Sequence, residues 1–172
     1  MIFGDVVMRS PQKKDAKALL SYRNSPFVNR YNLYSAVTLK RFKRELKNPN
    51  LFVLVEKKTS IPMGCFYTTD DPSRLNTGST EIVAWIGEDF ANKGYISNLL
   101  PYILDFLFQQ EGVRRISTRV FEKNIAANKI MAHVGFRLEG TLPEAILDHG
   151  GDMAGINLYS MSKQEFFERY KS

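Results

Sequence analysis

A single mixed α/β domain is predicted from three features of the chain. Apolar runs of strand length alternate with amphipathic stretches of helix length along the whole sequence. One stretch, residues 80–107, reads as strand, glycine-containing turn and long helix. A second, residues 114–136, reads as strand, Asn-led helix and Gly-Phe stop. The 172 residues fit one domain. Neither an internal repeat nor an interdomain linker interrupts them.

In order, Ile2 to Met8 is expected as a first strand. Ser10-Pro11 then opens a helix, since proline suits a first helical turn. Ala16, Leu19, Leu20 and Arg23 share a face, and Asn24-Ser25-Pro26 ends the pattern. A loop carrying Phe27, Tyr31, Leu33 and Tyr34 follows. Thr38 is placed to cap a second helix. Its apolar face is Leu39, Phe42 and Leu46, and its basic face is Lys40, Arg41, Lys43, Arg44 and Lys47. That basic face is either a solvated surface or a surface for an acidic substrate or partner. Leu51 to Glu56 and Pro62 to Thr69 read as a hairpin. Cys65, within it, reads as a buried, inert thiol.

Thr80 to Ile86 is the central strand. After Gly94, the residues Ile96, Leu99, Leu100, Ile103, Leu104 and Leu107 recur at helical spacing, with Pro101 inside the run. Pro101 implies a kink or a later start to regular helix. Ile116, Thr118 and Val120 alternate as a strand. Asn124 opens a short helix with Ala127, Ile130, Met131 and Val134 inward, and Gly135 stops it. Phe136 to Leu142 is a strand, Pro143 to Gly151 a loop, Ile156 to Met161 the last strand, and Lys163 to Tyr170 a terminal helix.

Composition narrows the function. One cysteine excludes an internal disulfide and a Cys-based metal cluster. The charged N-terminal residues are unlike a signal peptide, and no apolar run approaches the length of a membrane span. A cytoplasmic location with no membrane partner is expected. The net charge of +6 suits an anionic partner, either a phosphate-rich cofactor or nucleic acid. The P-loop pattern, the dinucleotide fingerprint and the nucleophile elbow are all missing. His133 and His149 have no metal-ligand spacing. His133 reads as a packed or solvated helical residue, and His149 as loop filler or an acceptor-site base.

The strand–turn–helix of residues 80–97 can set backbone N–H groups and a helix N-terminus against phosphate. Its loop reads Ala91-Asn92-Lys93-Gly94-Tyr95-Ile96. Further on, Asn124-Ile125-Ala126-Ala127-Asn128-Lys129 precedes His133-Val134-Gly135-Phe136-Arg137-Leu138-Glu139-Gly140. With these motifs the chain resembles the GNAT superfamily of acyl-CoA N-acyltransferases, in particular the ribosomal-protein N-terminal acetyltransferase (Rim-type) branch. The resemblance covers essentially the whole chain. Ala91 and Ile96 depart from the family's Q/R-x-x-G-x-G/A loop.

The resemblance implies a mixed, centrally splayed sheet of six to seven strands with four to five helices. It implies acetyl-CoA as co-substrate, no metal, and transfer to a primary amine by direct attack in a ternary complex. Glu81 matches the family's base on the central strand. Read from the residues alone, it is equally a strand-end carboxylate paired with a basic neighbour. Glu139 is a second candidate. The implied coenzyme A residues are the backbone of Trp85 and Ile86, the turn Asn92, Lys93, Gly94, Tyr95, Ile96 and Ser97, and Asn124 and Lys129. Ala127 and Met131 stand where relatives carry an acid for the leaving thiolate, and Tyr159 is a remote replacement. The acceptor is a protein N-terminus, a ribosomal one included, or a small amine. The acceptor pocket is expected from the loops Phe27–Tyr34 and Pro143–Gly151, in a monomer or homodimer. Two rivals stand beside this reading: an acyl-CoA-binding protein without turnover, and an RNA- or ribosome-associated module.

Overall fold

A computed structural model describes residues 1–31, 35–75 and 77–171. They form a mixed α/β fold with eight strands and six α-helices, more of each than the sequence implied. The chain divides into two compact units, residues 1–68 with 83–95, and residues 69–82 with 96–172. The division passes through the central strand.

In the first unit, β1 (Ile2–Phe3) and β2 (Val6–Arg9) replace the single first strand expected. Gly4 reverses the chain between them at φ 54°. β2 pairs antiparallel with β3 (Leu51–Glu56), and β3 with β4 (Pro62–Asp70), which is the expected hairpin. Helix α1 (Asp15–Arg23) starts later than Pro11. Asp15 explains the delay. It is buried, takes two bonds from Arg9 at 2.7 and 2.8 Å, and accepts the Gln12 N–H at 2.7 Å, which fixes the chain ahead of it in a turn.

Ser25-Pro26 proves to be a start as well as a stop. The Ser25 side chain caps a short helix, α2 (Pro26–Asn29). The Thr38 hydroxyl caps α3 (Leu39–Glu45) by accepting the Arg41 N–H, as expected. The core of this unit gathers Leu19, Val28, Phe42, Val53, Cys65 and Trp85. Phe27, partly buried, packs against it. Leu33 and Tyr34 lie outside the described residues.

Strand β5 (Ser79–Ile86) is the central strand. In the second unit its first residues run parallel to β6 (Arg115–Phe121), in the register Ser79↔Arg115 to Glu81↔Ser117. β6 pairs antiparallel with β8 (Met153–Ser162), and β8 with the edge strand β7 (Arg137–Leu147). β7 absorbs Pro143–Leu147, half of the loop expected there. Proline survives because the edge tolerates a missing donor and the register shifts between Leu142 and Ile146.

Helix α4 (Tyr95–Phe108) runs unbroken through Pro101. Its buried face is Leu99, Leu100, Ile103, Leu104, Leu107 and Phe108; the spacing predicted all of these but Phe108, and Ile96, also predicted, is half-buried. Phe108 meets Phe166 of α6 (Lys163–Tyr170) at 5.4 Å between ring centres. Helix α5 (Ile125–Val134) ends at Gly135, whose φ of 99° suits only glycine well. No helix among the described residues is long and apolar enough to cross a membrane.

Candidate active site

The second unit holds a cavity of about 110 Å³. Three carboxylates reach it, from Asp71, Glu81 and Glu139, together with Arg74, Arg119 and Tyr159. β5, β6 and β8 set their spacing. Because side chains alternate along strands, Glu81 faces away from buried Ile82 and toward the side chain two residues beyond its partner Ser117. That side chain is Arg119.

Glu81 is only 5% exposed. Arg119 grips it with Nε on one oxygen and Nη2 on the other, both at 2.7 Å. Such a bidentate pair fixes the carboxylate plane. The Glu81 hydrogen bonds hold the Arg119 guanidinium above its ordinary range, against the opposing effect of burial. Arg119 is less enclosed than its partner, with 42% of its side chain exposed.

Asp71 is the second anchor. Burial pushes its carboxyl up, but donors outweigh burial and bring it down to about 2. Those donors are the Ser79 hydroxyl at 2.7 Å, the Ser117 hydroxyl at 2.8 Å, the Ser73 N–H at 2.9 Å and Arg74 at 3.1 Å. Arg74 also donates to Glu139, which accepts from Ser160 at 2.7 Å. Glu139 is therefore held below the usual carboxylate range: burial raises it, and the Ser160 and Arg74 bonds prevail. It is committed to a cation and a hydroxyl.

Asn128 ties the far wall together. Its Nδ2 faces the carbonyls of Phe121 at 3.0 Å, Glu122 at 3.3 Å and Asn124 at 2.8 Å. Its Oδ1 accepts from Asn157 Nδ2 at 2.8 Å and from the Tyr159 hydroxyl at 2.9 Å. Burial raises the Tyr159 phenol, and its proton is already directed to Asn128. The sequence reading gave no role to Asp71, Arg74, Arg119 or Asn128.

The residues expected to hold coenzyme A fall in both units. In the first, Trp85 is buried and Ile86 half-buried at the end of β5. A 3-10 turn, Glu88–Phe90, leads into the exposed Asn92 and Lys93. The backbone is left-handed at Asn92 and Gly94, with φ of 58° and 78°. The Tyr95 side chain is turned back on the hairpin, where its hydroxyl donates to Glu56. In the second unit, Ile96 and Ser97 lie in the first turn of α4, half-buried. Asn124 uses its Oδ1 to cap α5 through the Ala127 N–H at 3.1 Å. Lys129 is exposed on α5.

Comparison with known proteins specifies the class. A family model described as an acetyltransferase (GNAT) domain matches residues 5–137. The chain belongs to the GNAT acetyltransferases, a family of acetyl-CoA-dependent acyltransferases.

The chain is 24% identical to an uncharacterized N-acetyltransferase, p20, of Bacillus licheniformis, over 94% of each. Solved structures repeat the fold. The ribosomal-protein-S5-alanine acetyltransferase of Vibrio fischeri superposes with a TM-score of 0.81 at 18% identity, covering 96% of this chain and 97% of that one. Spermidine N-acetyltransferase from Vibrio cholerae, solved with CoA and spermine, gives 0.81 at 17% identity, over 95% and 98%.

Proposed function

We propose that this chain moves the acetyl group of acetyl-CoA onto a primary amine, of a protein N-terminus or a small molecule, with Glu81 as the base. The observation that carries this reading is the position of Glu81. It is a nearly enclosed carboxylate at the cavity wall, held flat by a partner that is itself half in solvent.

An amine is protonated near neutral pH and attacks only once a proton is gone. Glu81 takes that proton, directly or through a water, for which about 10²–10⁴-fold in rate is typical. Both its oxygens are bonded to Arg119, so one N–H···O bond exchanges as the proton arrives. The freely hydrated side of Arg119 permits that swing. Acetyl-CoA, when bound, supplies the activated acyl group.

The residues present fit its diphosphate. The backbone is left-handed at Asn92 and Gly94 just ahead of α4, Lys93 adds a charge, and the first turn of α4 carries no acidic residue. Tyr95, Ile96 and Ser97 contribute through backbone amides. Trp85 and Ile86 contribute backbone groups to the pantetheine arm. Asn124 keeps an amide nitrogen that its cap leaves unused, and Lys129 is an exposed charge on the same helix. Ala127 and Met131 cannot donate, and the Tyr159 hydroxyl is engaged by Asn128, so the departing thiolate takes its proton from water.

The test is thiol release against a panel of primary amines, for wild type, Glu81→Gln and Arg119→Gln. Glu81→Gln loses at least 100-fold, to order of magnitude, in kcat/KM. It keeps the thermal shift that saturating acetyl-CoA produces, about 2.7 kcal/mol at 100 times Kd. Arg119→Gln breaks the same ion pair, retains the carboxylate and stays active. Equal turnover by wild type and Glu81→Gln refutes the base assignment. Equal losses in both variants make the pair structural instead.

A further inference from the structure

The charge of the chain is divided unevenly. The first unit carries 14 Lys and Arg against 6 Asp and Glu, a net charge of +8, and the second 10 against 12, a net of −2. The two units also use their cations differently. In the second, Arg74, Arg115, Arg119, Lys123, Arg137 and Lys171 are all in ion pairs. In the first, α3 carries Lys40, Lys43, Arg44 and, just past its end, Lys47, all exposed. Among the described residues none of these four has a carboxylate within 4.0 Å, and Glu45 is spent on Arg23 and Arg41.

Their spacing is i, i+3, i+4 and i+7, which is one stripe of a helix face. Phe42 and Leu46 hold the opposite face on the core, so the stripe points outward without alternative. At a rise of about 1.5 Å per residue, the stripe is about 10 Å long. One strand of nucleic acid presents about three phosphates over that length.

We propose that the stripe Lys40, Lys43, Arg44 and Lys47 binds the phosphodiester backbone of single-stranded nucleic acid. The composition favours nucleic acid over an acidic protein. Protein interfaces are depleted in Lys and rest on aromatic and apolar anchors. The stripe supplies four cations and no aromatic, apolar or acceptor side chain among them. Point charges at regular spacing neutralise phosphates and read no bases, so binding is independent of sequence. The surface lies apart from Glu81 and its cavity residues in the chain, and its occupancy does not depend on acetyl transfer.

The test is fluorescence polarisation of a labelled single-stranded RNA with the full chain. About three phosphate contacts predict a slope of log affinity against log salt of about −2.1, roughly 20-fold weaker binding at 200 mM than at 50 mM salt. The combined variant Lys40→Gln, Lys43→Gln, Arg44→Gln, Lys47→Gln loses that binding at 50 mM. It keeps the wild-type thermal midpoint and acetyl transfer. No RNA binding by wild type at low salt, a salt slope near zero, or unchanged binding by the variant overturns the proposal. So does equal competition by a poly-glutamate peptide, which assigns the stripe to an acidic protein.

Discussion

Gly64→Ala tests the joint between β4 and the end of β5 within the first unit. Gly64 is buried, opposite Leu54 in the β3–β4 register. A Cβ built there lies 2.0 Å from the carbonyl oxygen of Trp85, 2.7 Å from Ile86 Cα and 2.9 Å from Ile86 Cγ2. Carbon contacts settle at about 3.5 Å, so the Trp85 carbonyl must retreat by about 1.5 Å. The obstructing atoms are mostly strand backbone and cannot rotate away. Overpacking costs about 1–3 kcal/mol, and the rigid neighbours place this case at the upper end. Restricting the unfolded chain returns only about 0.4–1 kcal/mol. A net loss near 2 kcal/mol lowers the urea midpoint by about 1 M at the slope of a small protein.

The assay is urea unfolding followed by tryptophan fluorescence, and Trp85 is the single tryptophan in the chain. The emission reports on the joint that the substitution disturbs. The variant also shifts the native spectrum and, on the proposed function, raises KM for acetyl-CoA, because the displaced carbonyl belongs to a residue proposed for the pantetheine arm. A wild-type midpoint with a wild-type spectrum refutes the close approach.

Asp71→Asn should cost stability at neutral pH and little in acid. The folded carboxyl titrates near 2, below its unfolded range, so its contribution is complete above about pH 4 and vanishes as pH falls toward 2. The stability gap between wild type and variant, about 2 kcal/mol at pH 7, closes over that window in urea titrations at stepped pH. Gly135→Ala should destabilise by about 1–2 kcal/mol, since φ is 99° and the new Cβ lies 2.7 Å from Arg169 Cδ. Calorimetry gives the midpoint, and a midpoint equal to wild type contradicts the left-handed cap. Cys65 should resist a thiol reagent in the native state. It is fully buried, and burial first, then the nearby Asp15, pushes the thiol up. Modification faster than global unfolding would refute this.

Local chemistry made much of the fold legible. The Thr38 cap, the Gly135 stop and the inward face of α4 each follow from a few neighbouring residues, and each is found in place. Errors arose where one local signal had two meanings. Ser25-Pro26 ends α1 and also begins α2. Pro143 reads as a loop, but at a sheet edge beside a register shift it sits within β7. The candidate site was legible only by half. Glu81 was reached through its family motif, whereas Arg119 is its partner through the Glu81↔Ser117 register. Asp71, Ser79 and Ser117 meet in the same way across long chain separations. Strand register is a tertiary property, and no periodicity within either segment contains it.

Asn128 has a chemical vulnerability that its five hydrogen bonds create. Its nitrogen faces three carbonyl oxygens, and its oxygen faces two donors. Deamidation would replace that NH₂ by an oxygen of nearly the same size. Steric fit would survive, but three attractive contacts would become repulsive at once, with a negative charge among them. Conversion to aspartate would loosen the start of α5 while the Oδ1 acceptor for Asn157 and Tyr159 remains, and an Asn128→Asp variant with a lowered thermal midpoint would show it.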